Sequence, residues 1–135
     1  MSELFHNTKS VMALKSQSVS AAGDVVGEVI DTLGFKSVNI LASIGDNAVN
    51  AANTLAIKSI AESTVVGMTN SVAIPATRIQ GTAATPVAPK NTVVELGVTP
   101  AARYIQATFT KAGTTAITIS ALAVKGIADL VPTQV

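Results

Sequence analysis

The sequence predicts an all-β chain, a jelly roll or β-sandwich of about seven or eight short antiparallel strands with extended terminal arms. Two observations carry that expectation. Apolar and polar residues alternate with a period of two through several segments, and turn signals recur about every ten residues. A chain of 135 residues is most simply one domain, here 1–135, and can bury a real core without disulfides or metals.

The elements follow in order. Residues 1–9 read as an N-terminal arm whose apolar anchors are Leu4 and Phe5. SVMALKSQSV (10–19) is a weak strand, AAGD (21–24) a turn and VVGEVIDT (25–32) a second strand. In LGFKSVNILASIG (33–45), Val38, Ile40, Ala42 and Ile44 share one face between Gly34 and Gly45, a strong strand signal. DNAVNAAN (46–53) is ambiguous, because Val49, Ala52, Ala56 and Ile60 keep a helical spacing. Its asparagines and the β-branched Thr54, Ile57 and Ile60 favour a loop followed by a strand over 54–62. VVGMTNSVAIP (65–75) supplies a short strand or two around Thr69-Asn70. TRIQGTAATPVAPKN (77–91) reads as a long extended loop, because its prolines exclude a central strand. NTVVELGV (91–98) is a strand, and IADLVPTQV (127–135) a C-terminal tail.

RYIQATFTKAGTTAITISALAVKG (103–126) is the clearest segment. Ile105, Ala107 and Phe109 alternate with Gln106, Thr108 and Thr110; after Gly113, Ile117, Ile119 and Ala121 continue on odd numbers. Paired residues must point to one face, so a hairpin here needs an odd-to-odd register. A three-residue loop, Lys111-Ala112-Gly113, satisfies it by pairing Ala107 with Ile117 and Ile105 with Ile119, with Gly113 left-handed. Beyond Ala121, Leu122 and Val124 are apolar on the opposite parity, which calls for a bulge or for a strand end covered on both sides.

Composition narrows the function. Aromatics make up 3% of the chain, so the core must be built from Val, Ile, Leu and Ala in thin, closely packed layers. Cysteine is absent, and the net charge is +1 with charged residues at 13%, about half the usual share. Lys and Arg are scattered singly, so nucleic acid is not an expected partner. Mean hydropathy is +0.49, yet the longest uncharged stretches (63–77 and 112–124) are broken or too short for a membrane helix. The N-terminus carries Glu3 and lacks the long apolar run of a signal peptide. High hydropathy with little charge fits a surface covered by protein partners.

Chemistry is hard to find. His6 is the single histidine and sits in the N-terminal arm, a poor place for a general base. Asp24, Glu28 and Asp31 are the only local acidic group, and their spacing is not that of a Ca²⁺ loop, so a solvated face is the better reading. No nucleophile elbow, S-x-x-K motif or phosphate loop occurs. We therefore expect no enzyme, no cofactor and no metal. Tyr104 suits either a binding platform or a cover for the end of the sandwich, and Arg103 beside it either an acidic partner or solvent.

LGFKSVNILASIG and RYIQATFTKAGTTAITISALAVKG together resemble the pattern of small tailed-phage capsid decoration (cement) proteins with a jelly-roll fold. The likeness lies in the "GF-S-V" opening, the late "RYI" strand and the "GTT" segment, and covers about a third of the chain. The chain lacks the tryptophan expected of such proteins, and its middle is unusually rich in alanine. The resemblance implies a structural virion protein, made in the host cytoplasm and carried on the outer surface of the capsid. There it would bridge neighbouring major capsid protein subunits as a homo-oligomer, dimer or trimer. The candidate partner contacts are Leu4, Phe5, Arg103, Tyr104, Ile127, Leu130 and Val131. The alternative is a receptor- or carbohydrate-binding sandwich of a phage tail or fibre, with the same fold but normally more exposed aromatics. No membrane partner is expected.

Overall fold

Nine strands, distributed over two antiparallel sheets, make up the fold of the computed structural model, which describes residues 8–45, 54–81 and 92–128. They are β1 (Lys9–Val19), β2 (Gly23–Asp31), β3 (Phe35–Ile44), β4 (Thr54–Ser63), β5 (Val72–Ala73), β6 (Ile79–Gln80), β7 (Thr92–Val98), β8 (Tyr104–Ala112) and β9 (Ile117–Ala128). One sheet has the order β1-β9-β3-β7-β6 and the other β2-β8-β4-β5. Setting aside the two-residue β6, the chain crosses between sheets at every step except β4 to β5. That double Greek key is the jelly-roll form of the sandwich.

Period-two patterning places the core. In β3 Val38, Ile40, Ala42 and Ile44 are buried, and in β8 Ile105, Ala107 and Phe109 are fully so. β9 contributes Ile117, Ile119, Ala121 and Ala123 from the facing sheet, and β4 contributes Leu55, Ile57 and Ile60. Residues 54–63 are strand, so the helical spacing through Ala56 and Ile60 is overridden by β-branched residues packing into the sheet. Residues 46–53 lie outside the described residues.

The hairpin expected at 103–126 does not form. β8 pairs with β2 and β4, whereas β9 pairs with β1 and β3 in the other sheet. Parity fixes the face that a strand buries but not the neighbour it pairs with. Two strands that both point odd residues inward can sit side by side or, as here, face each other across the core. Gly113 does take the left-handed conformation, φ +87°. The apolar parity change after Ala121 needs no bulge in β9, which keeps an unbroken register with β3 from Ile119 to Ala128. Ala123 and Lys125 continue the inward face, and Leu122 is 47% exposed on the outward one.

Two other expectations are adjusted. Only β5 forms within 65–75, because Met68 and Asn70 both take positive φ in the turns that precede it. The start of the 77–91 loop is a 3₁₀ turn (Ala76–Arg78) and β6, held against β7 by Ile79 and Gln80; residues 82–91 lie outside the described residues.

Bulges interrupt β1, β2 and β4. The one in β2 lies at Gly27-Glu28, where Gln106 Nε2 donates to the Gly27 carbonyl at 2.8 Å. A side chain at Gly27 would collide with the Ala13 carbonyl oxygen of β1 and stand 3.2 Å from the Phe109 ring. Glycine here lets the β1–β2 edge close over Phe109, the one buried aromatic among the described residues. Gly27→Ala is expected to destabilise the fold by about 1–3 kcal/mol, the range for overpacking. Urea unfolding checks it, and an unchanged midpoint would contradict this packing.

Candidate functional site

Charged side chains gather at one end of the sandwich, where they are used within the chain. Glu62, at the end of β4 and 5% exposed, accepts two hydrogen bonds from the Arg78 guanidinium and one each from the Ala101 and Ala102 amides, at 2.8 and 3.2 Å. One carboxylate thus ties β4 to the 3₁₀ turn and to the β7–β8 connection. The Arg78 guanidinium is the main reason that its carboxyl is held below the ordinary value of 4.5. Beside it, Arg103 donates to both oxygens of Asp31, at 3.0 and 2.9 Å, and lies 5.0 Å from the centre of the Tyr104 ring. Those bonds hold the Asp31 carboxyl at about 2. Lys125 Nζ donates to the Asp31 carbonyl at 3.0 Å and stands over the Phe35 ring. Burial lowers its pKa. At the opposite end, Lys111 is 2% exposed and donates to the Gly113 carbonyl at 2.6 Å.

The two outer faces differ. Around the four-stranded sheet Asp24 pairs with Lys58 at 2.6 Å, and Glu28 with Lys15 of the neighbouring edge at 3.5 Å. Gln106, Thr108 and Thr110 fill the outward positions of β8 between them. On the five-stranded sheet, the outward positions of β3, β7 and β9 carry one charged residue, Glu95. A row crosses this face from Met12 through Leu122 and Leu41 to Glu95, each residue directly opposite the next. Met12, Leu122 and Val93 are among its exposed apolar side chains, at 42, 47 and 58%. Beside the row, Ser43 and Ser120 hydrogen-bond across the strands at 3.0 Å.

At one end of this face the sheet carries an open trough of about 710 Å³. Ser37 and Asn39 of β3 lie on its floor between two strands that bear glycine, Gly97 of β7 and Gly126 of β9; Gln80 and Glu95 are also in its lining. The missing side chains at positions 97 and 126 create the depression.

The candidate contacts proposed from sequence fall apart into separate places. Arg103 and Tyr104 are together at the ion-paired end, where Arg103 is committed to Asp31. Ile127 belongs to β9, which stays paired with β3 as far as Ala128 opposite Phe35, so the tail does not begin at residue 127. Leu4, Phe5, Leu130 and Val131 lie outside the described residues. Asp24, Glu28 and Asp31 form three separate ion pairs. Among the described residues no group of three or more His, Cys, Asp or Glu is placed to hold a metal ion, and no helix is long and apolar enough to cross a membrane.

Sequence reasoning missed Glu62, Arg78 and the trough. Leu122 and Val124 did carry a signal, because both are apolar on the solvent parity of β9. No known protein family and no curated protein matches the chain.

A carboxylate whose pKa is lowered by folding contributes stability above its unfolded value and loses it as pH falls through the folded one. Stability should therefore drop from about pH 4.5 toward pH 2, with Glu62 the leading contributor because Asp31 is half exposed and screened. Glu62→Ala leaves two amides without their acceptor and the partly exposed Arg78 guanidinium with the Thr99 carbonyl alone, and is expected to cost about 1–3 kcal/mol at neutral pH, while flattening the acid limb. Urea midpoints from pH 7 to pH 2 measure both. An acid limb as steep as that of the wild type would remove Glu62 from this role.

Proposed function

We propose that the chain is a structural virion protein that decorates the outside of a phage capsid shell and bridges neighbouring major capsid protein subunits. In this reading it acts as a homo-oligomer, performs no catalysis and docks through the outer face of its five-stranded sheet. The observation that carries the proposal is the contrast between the two outer faces. One is ion-paired and carries Gln106, Thr108 and Thr110 beside the exposed Val26, and the other clusters Met12, Leu41, Leu122 and Val93 around Glu95, the one charged residue at the outward positions of β3, β7 and β9. Apolar area of this kind gains about 25 cal/mol per Å² when covered. Repetition of the contact by shell symmetry multiplies a modest affinity into a durable attachment.

The edges of the sheets are poorer docking routes. β1, β2 and β4 are broken by bulges, and the stretch of β7 that β6 leaves uncovered is short, residues 92–96, so among the described residues neither sheet offers a long, regular edge for strand addition. The face is left as the broad apolar surface. The terminal segments would supplement it with Leu4, Phe5, Leu130 and Val131. The jelly-roll topology and the sequence resemblance support the same class of role.

Leu122→Asp places a charge at the centre of this face on a half-exposed residue, so the fold should be kept within about 0.5 kcal/mol. Occupancy on purified shells is expected to fall at least tenfold, while Val26→Asp on the other sheet leaves it unchanged. Full occupancy by Leu122→Asp would contradict this docking surface.

A further inference from the structure

We infer that the trough formed by Gly97 and Gly126 beside Asn39, Gln80 and Glu95 seats an extended polypeptide segment of the docking partner, with a lysine or arginine of that segment on Glu95. The inference deepens the docking reading above and rests on it.

The two glycines are the starting point. Both lie inside strands, on the outward face, opposite Asn39 and Ser37 respectively. Neither has a positive φ. A Cβ at position 97 would meet Gln80 Cβ at 3.5 Å, and one at position 126 would meet Ser37 Oγ at 3.7 Å, both ordinary contacts. The fold itself therefore has no need of glycine at either place, in contrast to Gly27. Glycine in a strand interior gives up packing and entropy, and a remaining reason for it is the close approach of another backbone or a ligand. Here two of them flank one strand and open a single depression.

The lining specifies what approaches. Among the described residues, the side chains of Asn39, Gln80 and Glu95 make no hydrogen bond or ion pair. Each carboxamide offers a donor and an acceptor, the complement of a peptide group, and the carboxylate offers acceptors alone. Glu95 is the one charged side chain among the described residues of the lining, so the group that meets it is a cation and anionic ligands are repelled. Among the described residues no aromatic side chain lines the trough, which removes the stacking platform expected for a sugar ring. The trough extends over β6, β7, β3 and β9. At the usual strand spacing these cover about 14 Å, the length of four or five extended residues.

The test pans the full chain against a random twelve-residue peptide display library and measures the affinity of synthetic hits. Enrichment of peptides bearing lysine or arginine is expected. Their affinity should fall at least tenfold for Glu95→Lys and for the double variant Gly97→Val/Gly126→Val. Gly97→Ala and Gly126→Ala should unfold at or above the wild-type midpoint; a lower midpoint would show that the fold requires these glycines and would overturn the inference. So would the absence of enrichment, hits unaffected by Glu95→Lys, hits rich in Asp and Glu, or chemical-shift changes at the trough on adding a neutral disaccharide such as maltose. Occupancy on purified shells separates the two readings. Unaltered occupancy of Glu95→Lys removes the trough and keeps the shell reading, whereas peptide binding lost in Glu95→Lys by a chain absent from particles does the reverse.

Discussion

Ala42 pairs with Ala121 in one sheet, Ala123 lies beside Ile40 in the next row, and Ala107 faces them from the centre of β8. These small inward residues let the two layers approach closely, which a chain almost without aromatics needs if it is to leave no voids between them. Phe109 is the exception, and the bulge at Gly27 makes room for it. Toward the ends of the sandwich Lys111 and Lys125 bury their aliphatic stems beside Leu55 and Val38, the residues opposite them, and donate to backbone carbonyls. Glu62 gathers a guanidinium and two amides around one carboxylate.

The same economy shapes the surface. Charged residues are few, and many of those described are occupied in pairs or in closing the ends: Glu62 with Arg78, Asp31 with Arg103, Asp24 with Lys58 and Glu28 with Lys15. The outward positions of β3, β7 and β9 are left with Glu95 as their one charged residue, and the apolar row runs over these strands at the middle of the sheet. A rigid body with one polar face and one weakly charged apolar face is suited to lie on a partner through the second. No reactive constellation competes with that use among the described residues.

Much of the fold was legible because alternation is a local signal. Val38 to Ile44, Ile105 to Phe109 and Ile117 to Ala121 point inward as their parity requires, and β4 forms where β-branched residues outweigh a helical spacing. The pairing of β8 with β2 and β4 was not legible, because a strand's parity is silent about its neighbours and a short glycine-bearing connection serves an arch as well as a hairpin. The surface site was legible only in part. Leu122 and Val124 stood out as apolar residues on the wrong parity, but the alignment of Leu122 with Met12 and Leu41 depends on strand order. Gly97 and Gly126 are far apart in sequence, and only the pairing of β7 and β9 with β3 makes them neighbours. The Glu62–Arg78 pair was hidden for the same reason, as Arg78 lay in a segment read as an open loop.

The central claim is that this chain covers a shell through one sheet face, and quantitative mass spectrometry of purified particles tests it most directly. The account predicts a copy number equal to that of the major shell protein or a simple fraction of it. A few copies per particle, or none, would contradict it.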